Sequence, residues 1–161
     1  MYTWAVFFHV LIAIFWIGGM LFTVAVLVPA TRQRLASQKG LLFSELGTRF
    51  SQLSWALFPL LVFTGVLALL GKGYRIPHLI AADFWKSGYG MILGKKIAFF
   101  AVVLIISGLH DFWLGPKAAR LMDSEPGQPR TRRFRSASRW AGRFNLMLAL
   151  TILFLAVSLI R

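Results

Sequence analysis

The sequence predicts an all-α integral membrane protein, a four-helix bundle forming one domain over residues 1–161, and three observations carry that class. The chain is 58% hydrophobic with a mean hydropathy of +0.70, whereas a soluble domain is about half apolar. The apolar residues gather in four stretches, about 2–28, 50–70, 91–114 and 140–160, each near the roughly 20 residues that cross a bilayer as a helix. None of them alternates in the roughly ten-residue segments of a membrane barrel. Helices also satisfy their own backbone polar groups, as hydrocarbon demands.

The first span, YTWAVFFHVLIAIFWIGGMLFTVAVLV, carries no charged side chain and a single histidine, His9. His9, Ala13, Trp16, Gly19 and Thr23 recur three or four residues apart and so share one helix face. A histidine in hydrocarbon is costly to place and turns to the bundle interior or a cavity. Pro29 is expected to end the span. The loop that follows carries Arg32, Arg34, Lys39 and Arg49, and residues 41–46 read as a short amphipathic turn on the membrane surface. Span two contains Pro59, expected to kink it. It also contains the pair Thr64-Gly65, where the glycine admits a neighbouring helix or a flat ligand.

Residues 71–90 are punctuated by glycine, and Tyr74, Ile76, Leu79, Phe84 and Trp85 read as a short interfacial element with His78 as a solvated loop histidine. Span three opens on Lys95 and Lys96 and closes on His110 and Asp111. Lys96, Phe100, Val103, Ser107 and His110 share a face, with Lys96 and His110 roughly 21 Å apart along the axis. Residues 115–139 read as a basic loop with a turn at 123–129. Span four opens with Arg143 and Asn145 and then runs apolar.

The net charge of +13 sits between the spans, which points to topology and anionic headgroups and away from nucleic acid. The segments after spans one and three hold twelve Lys/Arg, counting Arg49 and Arg143, against five after span two as far as Lys96. The positive-inside rule then places both termini on the outer, periplasmic side of a bacterial inner membrane. The absence of cysteine excludes disulfides, thiolate metal sites, iron–sulfur clusters and CxxCH haem attachment. The N-terminal run lacks a basic n-region and is too long for a cleavable signal.

Depth sorts the polar residues into two tiers. The outer tier holds His9, Thr64, Lys95 and Lys96, with Trp16 and Phe100 placed to pack on a flat macrocycle and Met91 near the surface. Imidazole is a ligand through its neutral form, so His9 is the first candidate for a cofactor or metal ligand. Lys96 either snorkels outward or, with its amine desolvated, serves as a second axial ligand. The inner tier, Arg49, His110, Asp111, Arg143 and Asn145, reads as an ion-paired network. It either tethers helix ends or anchors propionates or relays protons. His9 and His110 lie roughly 15–20 Å apart in depth and so do not ligate one haem together.

The pattern H-x6-W-x-G-G from His9, RFxxLSW at residues 49–55, Thr64-Gly65, HDFWLGP at residues 110–116 and GRFN at residues 142–145 resemble the copper-resistance D (CopD) family over nearly the whole chain. A related group, the HemJ-type protoporphyrinogen oxidases, shares a first-span histidine followed by tryptophan and a lysine opening a later span. That resemblance implies haem b with His9 and Lys96 as ligands, Lys95 being the alternative lysine.

Three functions follow. The first is a b-haem membrane protein for electron transfer or a porphyrin- or quinone-linked oxidation, in effect a haem-dependent membrane oxidoreductase. The second is copper resistance or transport, with Met1, His9 and Met91 converging at the outer surface. The third is a non-catalytic membrane scaffold. Membrane lipids, a redox partner or quinone, and a second copy of the chain are the partners these readings imply.

Overall fold

Segments this apolar leave the backbone only its own hydrogen bonds, and helices are what form. The computed structural model describes residues 1–31, 39–125 and 127–159, and among the described residues there is no strand. Helix α1, Tyr2–Phe22, runs into a π-turn at Thr23–Leu27 and a last turn at Val28–Ala30. Then come α2, Lys39–Gly71, and two short helices, α3, Ile76–Ile80, and α4, Ala82–Lys86. Helix α5, Gly88–Leu109, runs into a second π-turn, His110–Leu114, and α6, Gly115–Ser124; α7, Pro129–Ser158, completes the order. Among the described residues four segments are long and apolar enough to cross a membrane: Tyr2–Ala30, Leu42–Gly71, Gly88–Met122 and Pro129–Ser158. The protein is a multi-pass membrane protein of the all-α class.

The structure departs from the sequence expectation at the basic segments. The amphipathic turn expected at residues 41–46 is part of the continuous helix α2, and the basic loop expected at 115–139 is largely helix, α6 and the first turns of α7. Arginine is a good helix former. Pro129 starts α7 at a position where its missing N–H costs nothing. Arg32 and Arg34 lie outside the described residues. The interfacial element expected after span two is present as α3 and α4. There His78 caps its own helix, its Nδ1 accepting the Arg75 backbone N–H at 3.0 Å.

The two π-turns share a cause. A proline has no N–H to give and its ring crowds the carbonyl four residues back. Ahead of Pro29 the Val28 N–H reaches back five residues to the Thr23 carbonyl, and ahead of Pro116 the Gly115 N–H reaches the His110 carbonyl in the same way. The widened turn accommodates the ring, so the helix passes through Pro29 and stops at Thr31. The Thr31 hydroxyl donates to the Leu27 and Val28 carbonyls at 2.9 and 3.0 Å.

The chain forms two compact units, Met1–Lys86 and Ser87–Arg161. In the first, α1 lies antiparallel on α2, with Tyr2 near Gly71, His9 beside Thr64 and Gly19 against Phe50. Its core is Trp16 edge-on to Phe58 at 5.3 Å between ring centres, with Trp55 edge-on to the same ring at 5.5 Å. In the second, α5 lies antiparallel on α7 around Val103, Leu148 and Ala149, all buried. The Thr131 hydroxyl of α7 donates to the Glu125 carbonyl at 2.8 Å, closing the turn after α6.

Candidate functional site

His9 enters the first unit from the middle of α1, where the 3.6-residue period that carries Ala5 and Trp16 inward also turns its ring toward α2. Its Nδ1 lies 3.0 Å from Thr64 Oγ1. The Thr64 hydroxyl carries one hydrogen, and that hydrogen points back along its own helix to the Leu60 carbonyl at 2.7 Å. With that hydrogen on Leu60, the Nδ1–H tautomer donates to Thr64; the other tautomer reverses the roles. A neutral imidazole protonated at Nδ1 carries its lone pair on Nε2. Gly65 makes the approach possible: a Cβ there would stand 3.3 Å from His9 Cε1 and 3.6 Å from Nδ1. The pair Thr64-Gly65 thus supplies an acceptor and the space beside it.

Trp16, a candidate for packing on a macrocycle, is buried in the hairpin core against Phe58. In the second unit, Lys96 is half-buried within a membrane-spanning helix and Lys95 is exposed. His9 precedes Pro29 by 20 residues and Lys96 precedes Pro116 by 20, so each stands at the same distance ahead of its π-turn. Met91 is exposed in the first turn of α5, as is Met1 ahead of α1. Among the described residues no three His, Cys, Asp or Glu side chains converge as a metal cage.

The expected inner network divides. Arg49 donates to Glu45 at 2.7 Å, one turn away on its own helix, and both are largely exposed. Arg143 lies over the Trp140 ring at 5.2 Å. His110 and Asp111 do join, Nδ1 to Oδ1 at 2.8 Å, and the other ring nitrogen meets Ser138 Oγ at 2.9 Å. In the neutral ring Nδ1–H donates to the carboxylate and the Ser138 hydroxyl donates to Nε2. Asn145 Nδ2 donates to Ser107 Oγ at 2.7 Å. Ser138 was hidden to sequence reading because its segment read as loop. Its signal is the seven-residue interval to Asn145, which puts both on one face once the segment is helical.

The Asn145–Ser107 contact gives an asymmetric expectation. Asn145 Oδ1 is buried with no hydrogen-bond partner among the described residues, so Ser107 alone satisfies this amide. Ser107→Ala is expected to lower stability by about 1 kcal/mol, whereas Asn145→Leu is expected to be neutral or stabilising, because the remaining serine can turn to its own helix carbonyls. Thermal unfolding of the two variants in detergent checks the order.

Compared with known proteins, residues 44–159 match the family model described as Copper resistance protein D. An uncharacterized protein of Aquifex aeolicus (strain VF5) is 33% identical over 151 residues, which cover 94% of this chain and 90% of that one. No solved structure matches.

Proposed function

The chain belongs to the copper resistance protein D (CopD) family, and from that premise we propose that it handles copper at a bacterial inner membrane, with His9 Nε2 as a contact ligand for Cu(I). One observation carries the reading: His9 Nδ1 lies 3.0 Å from Thr64 Oγ1, where the Nδ1–H tautomer donates while Thr64 donates to Leu60. Metal-bound histidines characteristically donate their other N–H to such an acceptor, which fixes ring orientation and tautomer. Cu(I) prefers soft sulfur and also takes imidazole. The exposed thioethers of Met1 and Met91 are capture groups of that kind at helix starts. With no thiolate in the chain and no cage of His and carboxylates among the described residues, the donor set fits a transient contact with a passing ion. In this reading the copper is cargo, and both termini lie on the outer side.

A second reading keeps the same nitrogen and replaces the ion with the iron of haem b, for electron transfer or a porphyrin- or quinone-linked oxidation. It draws on Lys96, half-buried within a membrane span, since an ionisable residue at such a place is usually functional. Haem would supply one-electron chemistry there, and His9 would hold and orient it.

One preparation separates the readings. The purified protein in detergent is titrated with Cu(I) under reducing conditions against a chromophoric chelator, and its absorption spectrum is recorded. The copper reading expects a colourless protein that withdraws Cu(I) from the chelator. A Soret band without Cu(I) uptake transfers the site to haem, and neither signal removes both readings and leaves the membrane scaffold.

A further inference from the structure

At the second π-turn the apolar span meets the basic segment, and the structure shapes that junction into a groove of about 420 Å³ lined by Phe112, Trp113, Pro116, Lys117, Arg120 and Leu121. Its two faces differ. Phe112 and Trp113 are 71% and 54% exposed although they belong to a membrane-spanning helix, Gly88–Met122. Lys117 and Arg120 follow on the next turns, beyond the proline. The Lys117 ammonium is held at the groove over the Trp113 and Phe134 rings, 5.6 and 4.9 Å from their centres. Among the described residues no carboxylate lines the groove. From residue 115 to 143 the chain carries eight Lys/Arg against Asp123 and Glu125.

We propose that this groove is a specific site for one anionic phospholipid, with an acyl chain along Phe112, Trp113 and Pro116 and the headgroup phosphate on Lys117 and Arg120. Charge complementarity selects an anion. The aromatic floor selects a lipid over an acidic protein or a free phosphate, because the floor lies on the apolar span and the cations lie at its end. Aromatic rings and basic side chains take these positions at a membrane interface. The ring-held ammonium loses less freedom on meeting a phosphate than a solvated lysine would, which favours binding.

The test uses the full chain in detergent, with Trp113 as reporter. Phosphatidylglycerol brominated in its acyl chains is titrated in, phosphatidylcholine brominated in the same way is the control, and Trp113→Phe identifies the part of the quenching that belongs to the groove. The groove-specific quenching is expected at a mole fraction of phosphatidylglycerol on the order of tenfold lower than of phosphatidylcholine, since each cation near an anionic headgroup contributes about fivefold. Lys117→Gln with Arg120→Gln removes that preference, and Lys117→Arg retains it. Equal quenching by the two lipids, or a preference intact in the double variant, overturns the proposal. Displacement of the lipid by soluble glycerol phosphate at matching concentration makes the groove a site for a free anion and overturns it as well. The Trp113-specific signal is read in each folded variant, so a variant that loses its structure is recognised by circular dichroism and replaced by the single Arg120→Gln.

Discussion

Replacing His9 by alanine is expected to lower Cu(I) affinity by at least about 100-fold. Loss of a group behind a metal ligand already costs about 10–100-fold, and His9 is the ligand itself. Thr64→Val separates the roles. Valine keeps the shape at a buried position but removes the hydroxyl that meets Nδ1 at 3.0 Å. The imidazole stays in place without a fixed tautomer, and an intermediate loss of about 10-fold is expected, with Thr64→Ser restoring most of it. Chelator competition on the purified variants, with circular dichroism to verify folding, reads all three. An affinity unchanged in His9→Ala removes the histidine from any metal role and leaves the 3.0 Å contact as a cross-hairpin hydrogen bond.

Gly19→Leu is expected to destabilise the first unit by about 1–3 kcal/mol, the range for overpacking a close contact. A Cβ on Gly19 would run into the Phe50 ring, against Cε2 and within 3.1 and 3.2 Å of Cζ and Cδ2. Gly18 is the control, because a Cβ there meets nothing within 4 Å. Gly18→Leu is therefore expected to change stability by no more than about 0.5 kcal/mol. Combining Gly19→Leu with Phe50→Ala returns the space and is expected to recover part of the loss, a coupling that a double-mutant cycle measures. Unfolding in mixed detergent micelles gives the four values. A cost at Gly19 with little or none at Gly18 would show that the pair Gly18-Gly19 serves packing at one position only.

The same asymmetry separates what was legible from what was not. The four spans, the helical class and the placing of charge between the spans follow from composition and length, because each depends on residues close in sequence. His9 was legible as the polar residue of an uncharged span. Its contact with Thr64 crosses 55 residues, and no local period specifies which side chain of a second helix will face it. The second contact of the Thr64 hydroxyl, with the Leu60 carbonyl, depends further on the turn of α2 that carries Leu60.

At the other end of the spans, the segment 115–139 reads as loop because it is strongly basic. It is helical from Pro129 on, and the first turn of α7 packs against the turn after α6, where Thr131 is buried and bonded to the Glu125 carbonyl. The helix that begins there carries Ser138 to His110; separately, Arg49 pairs with Glu45 one turn away on its own helix. The sequence by itself determined that this is a four-span helical membrane protein with one histidine in its first span. Only the tertiary structure decided which partners hold that histidine and where the helices stop. Hydrophobicity acts on each segment alone, whereas register and hydrogen-bond direction are set between segments.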